Sequence, residues 1–294
     1  MPHWEALGRA VVTEQDRAPK VMGVVNVTPD SFSDGGRVQT ADDAARHARA
    51  LESEGADLLD VGGESSRPGS DPVPLEEELR RVIPAVEAIA ATVAVPLSVD
   101  TTKAEVARRA IAAGASIIND ITGLSVASEL ARVVADSGAG VVIMHMAGTP
   151  RTMQIEPRYR DVVAEVYEYL ARRAEDAEAA GIPRTRVALD PGIGFGKTLD
   201  HNLLLLRSLG RFASLGCAVL IGTSRKGLLG TITGRPVDQR ATASVVSSLA
   251  AALNGASVLR VHDVGPMVDA VKVWSSVRGW DRDCQERSGI ETER

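Results

Sequence analysis

The sequence predicts an α/β protein built as a single (β/α)8 TIM barrel with parallel strands, on three observations. Eight short apolar runs, rich in β-branched residues, recur along the chain. Amphipathic stretches alternate with them, which implies parallel strands with right-handed crossovers and, at eight units, closure into a barrel. Nearly every run also ends in polar residues, although a strand buried on both faces should be apolar throughout. Polar groups gathered at one end of many strands imply one shared site at one rim of the closed sheet. An open doubly wound sheet is the alternative that the same alternation allows.

The elements follow in order. The first run, residues 21–25, leads into Asn26, and helical spacing resumes over 41–54. Run 58–61 leads into Gly62-Gly63-Glu64 before a helix at 75–91, and run 97–99 into Asp100 before a helix at 103–113. Run 116–118 ends in Asn119-Asp120, with a helix at 127–136. Run 141–144 ends in His145, and the helix at 160–180 shows its apolar spacing in Val162, Val163, Val166, Tyr169 and Leu170. Run 187–189 leads into Asp190 and a helix at 202–215. Run 219–221 leads into Thr223-Ser224-Arg225-Lys226 and a helix at 240–254, and run 258–261 into His262-Asp263 and a helix at 265–277. Several helices stop at a glycine, such as Gly55, Gly114 or Gly255, a residue that enters the left-handed conformation at little cost. The first two strand-to-helix links, 28–40 and 62–74, are long and rich in Gly, Pro, Ser and Asp, as expected of lids that close over a substrate. Residues 1–20 read as an N-terminal extension, 21–277 as the barrel domain and 278–294 as a polar C-terminal tail.

Composition narrows the function classes. Aromatic residues make up only 3% of the chain, so Val, Ile, Leu and Ala must build the core. The net charge of −6 and the lack of a basic stripe argue against nucleic-acid binding. No segment approaches the roughly 20 continuous apolar residues of a membrane helix, and the opening residues lack the pattern of a signal peptide. Cys217 and Cys284 lie far apart without ligand spacing, as expected of reduced thiols in a cytoplasmic protein. Asn26-Val27-Thr28 spells a glycosylation acceptor, which without a secretion signal is a coincidence.

Two motifs mislead. The stretch from Gly192 to Thr198 looks like a nucleotide P-loop, but Pro191 stands where the first glycine is required. Lys197 is therefore not expected to cradle phosphate. A dinucleotide fingerprint fails as well, because its third glycine would fall at Lys197. No His-Glu-x-x-His or paired Cys-x-x-Cys occurs, so any metal should be a hard ion held by oxygen.

Four segments carry the strongest signal: Asn26 to Gly36, Asp60 to Gly69, Thr223 to Lys226, and Arg260-Val261-His262-Asp263. Together with Ser98-Val99-Asp100-Thr101, Asn119-Asp120 and Leu189-Asp190-Pro191-Gly192, the chain resembles dihydropteroate synthase over roughly residues 21–274. The resemblance implies a cytoplasmic, homodimeric transferase of folate biosynthesis that uses Mg2+ and is a target of sulfonamides. Such enzymes condense 6-hydroxymethyl-7,8-dihydropterin pyrophosphate with 4-aminobenzoate and release pyrophosphate and 7,8-dihydropteroate.

Three pockets follow from that resemblance. For the pterin, Asp190 can accept two parallel N–H bonds, Asp100 supplies another acceptor, and Asn119 can both accept and donate. Lys226 suits the pterin carbonyl and ring nitrogen, and Met144 and Phe195 can pack on the flat ring. Taken singly, Asp100 and Asp190 would read equally well as helix N-caps. For the pyrophosphate, Arg260 and His262 stand two apart on the last strand and so point the same way. Arg67 and Ser66 reach in from the second lid, and Asn26 corresponds to the family's magnesium ligand. For 4-aminobenzoate, Phe32 and Pro68 flank the ring while Ser224 and Ser66 hold polar groups. Many members of the family have threonine at the position of Ser66, so the packing that meets sulfonamides differs here.

The expected chemistry is a dissociative displacement at the pterin methylene, with Asp100, Asp190 and Lys226 as catalytic residues. The carboxylates stabilise a developing cation, and lid closure excludes competing water. Two rivals remain. A pterin-binding methyltransferase would not need the basic end formed by Lys226, Arg260 and His262. A non-catalytic pterin-binding paralogue would be expected to lose Lys226, Asp100 or a lid motif, and none is lost.

Overall fold

The computed structural model describes residues 1–28, 40–124 and 128–279. Eight parallel strands close into a barrel: β3 (Lys20–Asn26), β4 (Leu58–Gly62), β5 (Leu97–Asp100), β6 (Ile117–Asp120), β7 (Gly140–Met144), β8 (Val187–Asp190), β9 (Ala218–Ile221) and β10 (Val258–Val261), the last pairing with β3. Helices follow each strand on the outside. They are α1 (Ala41–Ser53), α2 (Leu75–Ala90), α3 (Ala104–Ala112), α4 (Ser128–Ser137), α5 (Val162–Ala179), α6 (Leu199–Arg207), α7 (Leu209–Ala213), α8 (Gly227–Thr233), α9 (Ala241–Leu253) and α10 (Val264–Val277). The predicted helix at 202–215 is two helices that break at Ser208, and α8 has no counterpart in the apolar spacing because two glycines dilute its seven residues. A third long strand-to-helix link, residues 145–161, joins the two expected ones.

The strand period of two sorts the side chains. Leu59, Val61, Val99, Ile118, Ile143, Leu189 and Ile221 face outward into the core shared with the helices. Met22, Leu58, Ile117, Val142, Ala188, Leu220 and Val258 belong to a separate cluster that fills the lower half of the barrel. Two residues further along their strands stand Val24, Asp60, Asn119, Met144, Asp190, Gly222 and Arg260. The same inward row thus gains Asp60, Asn119, Asp190 and Arg260 on the way to the C-terminal rim. That change, with the outward row apolar throughout, is why the site lies inside the barrel mouth.

The other mouth is plugged by the N-terminal extension. Trp4–Ala6 (β1) and Arg9–Val12 (β2) pair antiparallel, turned by Leu7 and Gly8, both at positive φ. Trp4 is fully buried in the inner cluster and its indole N–H donates to the Arg186 carbonyl at 3.2 Å. Gly140, where β7 begins, lets the hairpin approach: an added Cβ would lie 3.1 Å from the Glu5 carbonyl oxygen.

Candidate active site

A cavity of about 710 Å3 opens at the C-terminal ends of the strands. Asn26, Asp100, Asn119, Met144 and Asp190 reach it from β3, β5, β6, β7 and β8, and Ser224, Lys226, Arg260 and His262 from the ends of β9 and β10. Ser66, Arg67 and Pro68 line it from the link after β4, and Phe195 from the link after β8. Of the expected site residues, only Phe32 lies outside the described residues. Most of the first long link lies outside them too.

The floor is a charged network. Asp60, fully buried on β4, accepts from Arg260 Nε at 2.6 Å and from Asn119 Nδ2 at 3.2 Å through the same carboxylate oxygen. Arg260 Nη2 lies 3.5 Å from Asp100 Oδ2, so one guanidinium spans two carboxylates. Burial first, and then the Asp60 charge, raises the Asp100 carboxyl well above the usual carboxylate range. The sequence places Asp60 in a motif but gives it no role; its signal is an acidic residue inside an otherwise apolar run, and its partners come from distant strands.

Asp190 ends β8 and accepts from the Gly192 backbone N–H at 2.7 Å. Burial raises its carboxyl too, opposed first by the charge of Lys226. Gly192, Gly194 and Gly196 all take positive φ. A Cβ on Gly192 would come within 1.9 Å of the His145 carbonyl oxygen, so the glycine run lets the β8 link lie flat against the β7 link. Lys197 completes that seam: its ammonium nitrogen is 2.9 Å from His145 Nδ1 and donates to the Phe195 carbonyl at 2.9 Å. Burial lowers Lys197 to about 7 and, with the Lys197 charge, holds the His145 imidazole neutral, down to about 3. The P-loop look-alike is thus a packing device. Gln154 and Tyr159 of the third long link donate to the carbonyls of Gly194 and Gly196 at 2.7 and 3.0 Å.

Lys226 begins α8. Its ammonium donates to the Ile193 carbonyl and sits 4.7 Å from the centre of the Phe195 ring. Burial lowers it to about 8. The preceding Arg225 holds φ 57, an uncommon conformation for a side-chain-bearing residue, and is secured by two hydrogen bonds to Asp263 and by its own backbone N–H on Ser244 Oγ. Serines of α9 also meet Thr223 Oγ1, at 2.8 Å for Ser247. This bracing turns Ser224 and Lys226 into the cavity. Ser224 Oγ lies 3.0 Å from His262 Nδ1 and accepts the His262 backbone N–H, so the two expected ligands are already coupled.

The second link folds on itself: Ser70 Oγ donates to the Ser65 carbonyl and Gly69 N–H to Pro150 of the third link at 3.0 Å. The cavity therefore has an acid-and-amide floor, cations along the β9 and β10 side, and a polar wall opposite, formed by the second link. It can bind a flat heterocycle rich in N–H groups, with an anion beside it.

Comparison with known proteins gives the same reading. The family described as "Pterin binding enzyme" matches residues 22–262. The dihydropteroate synthase of Escherichia coli K12 is 48% identical over 255 residues, 87% of this chain and 90% of that protein. Structures of the Xanthomonas albilineans dihydropteroate synthase with 4-aminobenzoic acid and with 7,8-dihydropteroate superpose with TM-scores of 0.86 and 0.84 at 50% and 49% identity, covering 94% of this chain in both and 98% and 99% of theirs. The Yersinia pestis dihydropteroate synthase in a sulfonamide complex reaches a TM-score of 0.89 at 42% identity, covering 94% of this chain and 99% of that one. The chain belongs to the pterin-binding enzymes and, within them, to the dihydropteroate synthases.

Proposed function

We propose that this cavity condenses 6-hydroxymethyl-7,8-dihydropterin pyrophosphate with 4-aminobenzoate, giving 7,8-dihydropteroate and pyrophosphate for folate biosynthesis. The observation that carries the reading is the convergence of Asp100, Asn119, Asp190 and Lys226 from four strand ends on one cavity. Asp190 and Asp100 accept pterin N–H groups, Asn119 completes the ring edge, and Lys226 donates to the pterin carbonyl, with Met144 and Phe195 on the ring faces. A site with these groups rejects rings that leave them unpaired. Arg260, His262, Arg67 and Ser66 meet the pyrophosphate. Pro68, Ser224, Ser66 and, from outside the described residues, Phe32 form the 4-aminobenzoate side.

The reaction runs by loss of pyrophosphate before the weakly nucleophilic arylamine attacks. Asp100 and Asp190 stabilise positive charge at the exocyclic carbon through fixed dipoles and charge. The amine then forms the new C–N bond and gives up its proton to the released pyrophosphate. Magnesium fits the donor present: Asn26 ends β3 on the cavity wall and offers a hard amide oxygen, and a magnesium ion takes few protein ligands beside substrate phosphates and water. When bound, the ion would neutralise charge on the leaving pyrophosphate. Pyrophosphate release tests the reading. It should be rapid and magnesium-dependent with both substrates, slow without 4-aminobenzoate, and matched by dihydropteroate. Release at equal rates with and without 4-aminobenzoate would indicate a hydrolase, and a covalent pterin adduct on a side chain would defeat the dissociative route.

A cytoplasmic homodimer completes the reading. Val246 and Leu253 share one face of α9, and Val273 and Val277 one face of the adjacent α10; all four are more than half exposed. Val246→Glu together with Val273→Glu should shift the mass in sedimentation from dimer to monomer; an unchanged mass removes this face from the interface. Among the described residues no helix is long and apolar enough to cross a membrane, and the buried Cys217 is a free thiol.

A further inference from the structure

Beneath the wall formed by Ser66, Arg67 and Pro68 lies a charge cluster with no part in the chemistry above. Glu78, in the first turn of α2, has no solvent exposure, and one of its carboxylate oxygens lacks a hydrogen-bond partner. The helix N-terminus favours an acidic residue there, but it does not require a buried one. The other oxygen accepts from Lys103 Nζ, and the same ammonium lies 2.5 Å from Glu64 Oε2. A buried carboxylate is costly unless paired, and an apolar residue of that size would serve stability as well or better.

The cluster joins two parts of the site. Glu64 lines the cavity and stands two residues before Ser66. Its neighbour Gly63 is pressed onto α2, where an added Cβ would fall 2.4 Å from Val82, and the Gly63 carbonyl accepts from Arg81 at 3.1 Å. Lys103 follows Asp100 by three residues and donates its backbone N–H to Thr101 Oγ1 at 3.2 Å. One ammonium thus ties the strand end that carries Asp100 to the root of the second link.

We propose that Lys103, bridging Glu64 and Glu78, is a positioning residue that sets where Ser66, Arg67 and Pro68 stand over the pterin site and so governs capture of the second substrate. Burial opposes the Lys103 charge, but its two carboxylate partners outweigh this and raise its pKa, so the bridge persists through the neutral range. Without that cation Glu64 and Glu78 repel, and the wall loses its root while the floor residues keep their own contacts.

The inference rests on the synthase reading, and three variants test it: Lys103→Met, Lys103→Arg and Glu64→Gln. Lys103→Met should raise KM for 4-aminobenzoate about tenfold while kcat changes by less than about threefold, the signature of a misplaced binding wall. Equilibrium affinity for a dihydropterin that lacks the pyrophosphate, titrated without 4-aminobenzoate, should stay within about twofold, because Asp100 and Asp190 on the floor keep their own contacts. More pyrophosphate should be released per dihydropteroate formed, since a displaced wall admits water. Glu64→Gln should move these values the same way to a smaller extent, and Lys103→Arg should restore most of the coupling. A lowered melting temperature with unchanged KM and unchanged stoichiometry would overturn the inference alone, as would a pterin affinity that falls in step with the 4-aminobenzoate KM. A wild-type chain that forms no dihydropteroate would overturn the synthase reading and this inference together.

Discussion

Asp100 and Lys226 hold opposite charges that burial weakens in opposite directions. Asp100 must be ionised to lend negative charge to the developing cation, and Lys226 must be protonated to supply its charge. The Asp100 carboxyl is raised by burial and then by Asp60, while burial lowers Lys226 to about 8. kcat/KM for the pterin substrate should therefore rise with pH through the raised Asp100 value and fall above about 8, a narrow bell. Asp100→Asn should remove the acid limb along with most of the activity, and Lys226→Arg should flatten the alkaline limb because a guanidinium stays charged. A wild-type profile flat from about pH 6 to 9 would show that neither group controls binding. For folding the sign is fixed by the same shift: the native state holds the Asp100 proton more tightly, so this contribution to stability declines as pH rises towards the raised value. The strand-end residues were legible in the sequence because polar groups at the close of apolar runs stand out. Asp60 was not assigned, and neither were Lys103 and Lys197. Their roles come from partners 59 and 200 residues away in the case of Asp60, and from 39 and 52 in the other two.

At the scale of elements, the link after β8 shows how a motif can mislead. Its glycines fit a phosphate loop by composition, and only the three-dimensional contact explains them. Gly192→Ala would force a left-handed alanine, costing about 1–2 kcal/mol, and would add a backbone clash with His145. It should lower the melting temperature by several degrees and reduce synthesis at least tenfold, since Asp190 stands two residues away. Gly216→Ala is the matched control, because Gly216 has φ +79 but nothing within 4 Å of an added Cβ. It should cost a similar conformational term and leave turnover intact. Equal activity in the two variants would show that the seam between the β7 and β8 links does not place Asp190. The strands and outer helices were legible from their apolar period. The N-terminal hairpin, the break at Ser208, the short α8 and the third link were not, because each is too short or too glycine-rich to carry a period.

Across the whole molecule, alternation of strand and helix gave closure, and closure gave a common rim. The rim became a site because the inward row of the strands gains polar residues above a filled lower barrel, with Trp4 sealing the far end. Residues spread from Asn26 to His262 then share one cavity, acidic at its floor and cationic along one side. The chemistry assigned to those residues depends on where the pterin ring lies. The most direct test is a crystal structure of this protein with 7,8-dihydropteroate. The pterin ring should lie within hydrogen-bonding distance of Asp100, Asn119, Asp190 and Lys226, with its aminobenzoate end towards Pro68 and Ser224. A pterin ring bound away from Asp190 and Lys226 would contradict the account.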